Sequence, residues 1–240
     1  MQIEAGKKYY AQLNAEIKGC ADREITVNGV LGQRYIGTGV KDKHITVYGT
    51  PGNAMGAYLT HCDITVYGNV QDAVGDTMDN GTIVVHGNAG DTLGYGMRGG
   101  AVYVQGNGGY RVGIHMKAYM DHQPAIVIGG RVGSFLGEYQ AGGTIVVLGL
   151  NTDDAFPAGN YCGTGMHGGA MYIRSSFPPA HLAPQVSWVQ CQEDDLAPAM
   201  DYIRNYCAYF GVSLDEVLSK PFYKLTPSAD NPYSSLYTAY

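Results

Sequence analysis

His115, Asp121 and His122 lie close together in the chain and carry side chains that can ligate a metal. They have no helical i, i+4 arrangement and no neighbouring Cys, so a solvated or partner-facing loop is the better reading. Asp72 and Asp91, with Asn53 and Ser134 at matching positions, suggest a calcium ladder. Calcium-binding nonapeptide repeats, however, return every nine residues with an aspartate in each turn, and this chain has neither property. These side chains are expected to cap their own turns. Gly94-Tyr-Gly96-Met-Arg-Gly99 and Gly163-Thr-Gly165-Met-His-Gly168 both spell G-x-G-x-x-G. Each leads into a strand pattern, so no helix N-terminus is available to receive a pyrophosphate. His167 sits in a Gly-rich corner where a structural hydrogen bond is expected, and no Cys has a sequence context that would activate it. No catalytic, cofactor-binding or metal-binding residue is expected in this chain.

The elements that position these residues repeat. Strands of the form x-I-x-V-x-Gly end at Gly29, Gly49, Gly68, Gly87, Gly106, Gly130 and Gly149, mostly 19 residues apart. A second glycine recurs at Gly37, Gly56, Gly75, Gly94, Gly113, Gly137 and Gly163, expected to be structural corner positions. An apolar column (Ile36, Met55, Val74, Leu93, Val112, Leu136, Cys162) precedes it, and a Met-rich column follows it, broken by Gln140. Period-2 alternation places pairs such as Ile45/Val47, Ile64/Val66 and Ile83/Val85 on one strand face. The opposite face reads Thr26, Thr46, Thr65, then Val84, Tyr103, Val127, Val146 and Tyr172. A constant advance that restores the same register fits strands stacked in parallel, since hairpins would reverse direction at each turn. The expected fold is therefore all-β: a single-stranded right-handed parallel β-helix of about seven or eight coils of ~19 residues, with a small α-helical C-terminal tail.

Composition narrows the function. A chain of 240 residues with 45% hydrophobic content can bury a substantial core, while a net charge of −6 without any Lys/Arg run disfavours nucleic acid or an anionic membrane. Neither a signal peptide nor an 18-residue apolar run is visible, and five cysteines, odd in number and without C-x-x-C, fit a reduced cytoplasmic protein.

Three segments are expected: an N-terminal arm or cap over 1–23, which holds a short alternating stretch from Tyr9 to Ile17; the coils over 24–175; and a Pro-rich connector with a helical tail over 176–240. In the tail, Leu196, Met200, Ile203, Cys207 and Phe210 have helical spacing, Gly211 supplies a stop, and Ser213-Leu-Asp-Glu216 has the spacing of a capping box. The apolar outward column from Val84 to Tyr172 is its expected landing surface. Two coils are enlarged, around 117–123 and 150–157, and insertions in a repeat array map to protruding loops. Lys117, Tyr119, Asp121, His122, Asp153, Asp154 and Phe156 are the candidate partner contacts.

The series GQRYIGTGV, GTPGNAMGAY, GYRVGIHMK, LGEYQAGGTIVVLG and GTGMHGG, with the tail YFGVSLDEVLSKPFYKLTP, resembles the Gly-rich (GXGXG) domain at the C-terminal end of the glutamate synthase large subunit in its free-standing form. The resemblance implies a non-catalytic structural subunit that docks a class II glutamine amidotransferase subunit and an FMN/Fe–S synthase subunit, with an NAD(P)H- or ferredoxin-linked subunit as a further partner. FMN and the iron–sulfur clusters would reside in those partners, in a complex that moves glutamine amide nitrogen to 2-oxoglutarate. The alternative is a structural subunit of a formylmethanofuran dehydrogenase-like complex, which uses a related coil; the helical tail favours glutamate synthase. A β-helix enzyme acting on acidic polysaccharides would need a charged outward column, and this one is Thr, Val and Tyr.

Overall fold

A computed structural model of the protein describes residues 1–228. The Tyr-rich end of the chain lies outside the described residues. The strands are β1 (Gln2–Glu4), β2 (Glu24–Leu31), β3 (His44–Thr50), β4 (Asp63–Tyr67), β5 (Thr82–Val85), β6 (Ala101–Val104), β7 (Ala125–Ile128), β8 (Ala141–Val147), β9 (Gly168–Arg174), β10 (Val186–Gln190) and β11 (Phe222–Pro227). They form one sheet in the order β1 to β9, then β11, then β10. Every pair from β1 to β9 is parallel, and the repeat columns lie in register: Ile45 opposite Ile64, Ile64 opposite Ile83, Ile83 opposite Val102, Val102 opposite Ile126.

The expected all-β parallel β-helix is corrected by this topology. The structure is an open, mixed sheet of eleven strands, because β11 pairs antiparallel with β9 and β10 antiparallel with β11. Among the described residues four α-helices accompany it, and each 19-residue step contributes one strand. The rest of a step cannot supply further strands to close a parallel β-helix. Its turns carry left-handed residues at every second position, such as Ala54 (φ 60°), Gly56 (φ 67°) and Tyr58 (φ 55°), and that alternation forbids an extended run. Successive turns are instead joined by separate bonds from alternate positions: Gly75 N–H donates to Met55 O (2.9 Å), while Ala54 N–H donates to Asp72 O (2.9 Å) and Tyr58 N–H to Asp76 O (2.8 Å), and Gly94 N–H to Val74 O (2.8 Å) continues the series. A Cβ on Gly56 would lie 2.7 Å from Ile83 Cδ1, the movable end of that side chain, so it is the positive φ that calls for glycine at this position.

The main core lies between the sheet and these turns, where the inward strand residues meet both turn columns at near-zero exposure. Each buried Ile, Val or Met contributes roughly 1.5–3 kcal/mol, which makes this layer the principal source of stability. Gln140 is buried there among the methionines, and its Nε2 donates to Gly142 O (3.2 Å) and Gly143 O (3.1 Å) at a bulge in β8.

The N-terminal stretch differs from its alternating reading. Residues Tyr10–Gly19 form α1, which buries Leu13 and Ile17 four positions apart, a helical spacing that outweighed the period-2 pattern. In the tail, α2 (Glu193–Leu196), a 3₁₀ turn at Ala197–Ala199 and α3 (Met200–Phe210) run end to end, and Gly211 stops them at φ 66°. The following α4 (Leu214–Leu218) starts at Ser213, whose hydroxyl accepts from Glu216 N–H. A second core cluster joins Val84, Tyr103, Val127, Val146 and Tyr172 to Ile203, Tyr206 and Val217, so the tail covers the apolar outward column. The Tyr206 hydroxyl donates to Gln105 O at 3.1 Å, passing over Gly129, where any Cβ would collide with that hydroxyl and with the Gln105 carbonyl. Arg174, 4% exposed, spans from the sheet to the tail: its guanidinium donates to Leu148 O, Glu216 O and Val217 O at 2.7–3.2 Å.

Candidate functional site

The enlarged step after β6 closes on itself. Tyr119 and His122 exchange two backbone hydrogen bonds (3.1 and 2.9 Å), making a tight hairpin with Met120 at its tip, 79% exposed and at φ 50°. Asp121 is exposed beside it. His122 Nδ1 reaches back to Asp79 Oδ1 at 3.3 Å, two steps lower in the stack. The hairpin thereby leans over a surface groove made of two hollows that share Thr77 and Arg98. Tyr119 borders one hollow of about 450 Å³, and Lys117 borders the other, of about 330 Å³. Lys117 and Tyr119 are therefore brought to one groove, and His122 is tied to Asp79 at its border.

The second enlarged step behaves differently. Asp153 pairs with Lys220 of the tail, which holds its carboxyl below the usual carboxylate range. Asp154 is largely exposed, 3.9 Å from Arg131, and Phe156 is half-buried against the main core. No hydrogen bond or ion pair among the described residues joins this loop to the hairpin. The two loops do not form a single site.

The seven corner glycines, Gly37, Gly56, Gly75, Gly94, Gly113, Gly137 and Gly163, all have φ between 62° and 78°. Both G-x-G-x-x-G segments are turns that lead into β6 and β9. The Asp/Asn column differs from its expected role, because each side chain holds the next step up instead of its own turn. Asp72 Oδ1 accepts from Asp91 N–H (2.9 Å), Asp91 Oδ1 from Tyr110 N–H (2.8 Å), and Ser134 Oγ from Asn160 N–H (3.1 Å). A parallel column that sequence reasoning missed, Asn69, Asn88 and Asn107, does the same at 2.8–2.9 Å. Its signal, Asn at a 19-residue interval directly after the strand-ending glycine, was available. His167 Nδ1 lies 3.0 Å from Gly165 O. Burial pushes the Cys62 thiol up to about 11 and the Cys162 thiol up to about 12, the wrong direction for a nucleophile at neutral pH. Among the described residues, no three His, Cys, Asp or Glu side chains gather as a metal site, and no helix is long and apolar enough to cross a membrane.

The far edge of the sheet is formed by β10. Strand β10, VSWVQ, carries no charge and pairs through one edge only among the described residues, with Trp188 43% and Val189 51% exposed. Natural sheets usually protect such an edge with charge, proline or a cover.

A family model for the GXGXG motif matches residues 2–228. This chain belongs to the GXGXG motif family. An uncharacterized protein of Methanocaldococcus jannaschii is 40% identical over 249 residues, an overlap that takes in 98% of this GXGXG chain and 95% of the relative. Among solved structures, a chain of the formyltransferase/hydrolase complex FhcABCD of Methylorubrum extorquens, determined with methylofuran, superimposes with a TM-score of 0.66 at 21% identity, covering 87% of this chain and 80% of that one. At that identity the likeness establishes shared fold.

Proposed function

We propose that this chain is a non-catalytic structural subunit of a multi-subunit complex, of the formyltransferase/hydrolase and formylmethanofuran dehydrogenase type. The observation that carries the reading is the uncharged edge at β10, open among the described residues, with Trp188 and Val189 exposed there. An edge of that kind is a template for another chain, and a lone soluble protein would be selected to blunt it. The thiols raised by burial and the commitment of Asp153 to Lys220 give no support to chemistry performed by this chain alone. The choice of assembly follows the structural neighbour, which belongs to a four-component complex.

The glutamate synthase reading leaned on the helical tail to separate the two families. The neighbour's overlap of 87% is more of this chain than the repeats occupy, so the tail no longer separates them. Amidotransferase and FMN/Fe–S subunits are accordingly not the preferred partners. Cofactors are assigned to partner chains and the assembly to the cytoplasm. Affinity purification of the full chain from native extract, with mass identification of what co-purifies, tests this. Formyl-transfer or formyl-hydrolysis subunits are the expected partners; glutamate synthase subunits, or a chain that elutes alone at its own mass, would overturn it.

A further inference from the structure

Three Asn-Gly pairs occur in the chain: Asn28-Gly29, Asn80-Gly81 and Asn107-Gly108. In such a pair the main-chain nitrogen of the glycine can attack the side-chain amide carbon of the asparagine, because no Cβ on the second residue stands in the way. The stack treats the three pairs differently. Asn28 lies in β2 opposite Glu4, and its Nδ2 donates to Glu4 Oε1 at 2.8 Å, which draws the amide toward β1. Asn107 Oδ1 accepts from Arg131 N–H (2.9 Å) and Asn151 Nδ2 (3.0 Å), while Gly108 N–H donates to Arg131 O at 3.0 Å. Both the amide and the attacking nitrogen of that pair are thus held by later steps. Asn80 instead turns back on its own pair: Gly81 N–H donates to Asn80 Oδ1 at 2.7 Å.

We propose that Asn80 is a modification site, deamidated by water to aspartate and isoaspartate, and that the change loosens the stack between β4 and β5. The hydrogen bond holds the attacking nitrogen against the amide, the proximity on which an intramolecular reaction depends. The bonds that join this segment to the step below use other nitrogens: Asn80 N–H donates to Leu59 O (3.3 Å) and Thr82 N–H to Cys62 O (3.3 Å). Ring closure at Gly81 spends only the bond within the pair, whereas at Gly108 it would remove the bond to Arg131 O. In the reaction Gly81 N bonds to Asn80 Cγ and passes its proton to solvent, while the Cγ–Nδ2 bond breaks and ammonia leaves. Water then opens the cyclic imide. Cleavage of the new N–Cγ bond leaves an aspartate; cleavage of the original peptide C–N bond leaves an isoaspartate, whose main chain runs through Cβ and Cγ. One water is consumed, one ammonia is released, and nothing is oxidised or reduced.

The isoaspartyl product lengthens the main chain by one atom where the packing is tight. A Cβ on Gly81 would collide with the Cys62 carbonyl, and Gly81 O accepts from Ala101 N–H at 3.0 Å. Strand β5 opens at the next residue and carries Ile83 and Val85 into the main core. An added atom displaces the bond to Cys62 O or the one from Ala101, and the shift passes into those core residues. Either product also sets a second carboxylate beside Asp79, the residue that anchors His122 of the hairpin. This inference is independent of the assembly reading, because the reaction needs only the folded chain and water.

The test stores the full-length protein in mildly alkaline buffer made with heavy-oxygen water, with and without urea, and follows the three Asn-Gly peptides by mass spectrometry, using electron-based fragmentation to separate aspartate from isoaspartate. In native buffer Asn80 should convert roughly tenfold or more faster than Asn28 and Asn107, and in urea the three rates should converge. Asn80→Ser, which cannot form the imide, should keep its Tm over a storage period that lowers the Tm of the wild type. An intact Asn80 in the native protein, or a lead that persists unchanged in urea, would overturn the assignment to the folded geometry. An equal loss of Tm in a folded Asn80→Ser protein would overturn the proposed loosening of the stack.

Discussion

Replacing Gln140 by Met restores the residue type of its column and sets two opposing contributions against each other. The wild-type side chain is fully buried; its Nε2 donates to Gly142 O and Gly143 O, while its Oε1 is buried without a partner among the described residues. Gln140→Met removes that orphaned oxygen, a gain of about 1–3 kcal/mol, and adds apolar burial worth about 1 kcal/mol. The same change takes the donor from two carbonyls at the β8 bulge, a loss of about 1–3 kcal/mol for each. Two acceptors outweigh one, and the net effect is a destabilisation of about 1 kcal/mol. In thermal unfolding this lowers Tm by roughly 2–4 °C for a chain of this size. Gln140→Glu keeps the size but places an oxygen where the donor stood, and should cost at least ~3 kcal/mol. The expected order of Tm is wild type, then Gln140→Met, then Gln140→Glu. A Gln140→Met protein that melts above wild type would refute the reasoning, because the orphaned oxygen would then dominate and the amide would not be what holds the bulge.

Arg174→Met should cost roughly 3 kcal/mol and raise hydrogen exchange in α4 and β11 before the parallel strands, since the guanidinium holds three backbone carbonyls across the junction; uniform exchange across the sheet would count against a tail-specific role. Gly129→Ala should destabilise by about 2 kcal/mol or more, and adding Tyr206→Phe should restore only part of it because the Gln105 carbonyl still blocks the Cβ; full rescue in a melting experiment would argue otherwise. Cys62 and Cys162 bind their protons more tightly in the folded chain than in the unfolded one. Stability should therefore fall as pH rises above the ordinary thiol value near 9 toward about 11 and about 12, and both should resist thiol reagents at pH 8 until the protein unfolds. Stoichiometric labelling of the two in native protein would disprove this.

The register of β2 to β9 was legible because an Ile at a fixed interval has a single consistent partner in a parallel pair, and the corner glycines because a repeated positive φ leaves a repeated residue type. What escaped was local or non-repeating. The VSWVQ and FYKLTP segments have no internal period, and their pairing depends on a connection that runs through three helices. Leu13 and Ile17 sit within a stretch that also alternates, and their burial against the first step decided between the two patterns. The direction of the Asp72 and Asp91 side chains was hidden as well, since a turn cap and a bridge to the next turn use the same residue type. The groove could have been read from the interval itself: Lys41, Thr60, Asp79, Arg98 and Lys117 stand 19 residues apart, but the apolar columns drew attention first.

A stack of interchangeable layers has no intrinsic length, and nothing in the parallel strands says where accretion should stop. The two closing strands supply that instruction. Because β11 enters against the grain of β9, a further layer of the same kind would meet backbone donors and acceptors in the wrong sequence. Length is added within the chain instead, and the 24-residue advance that carries the hairpin is what such interior growth looks like.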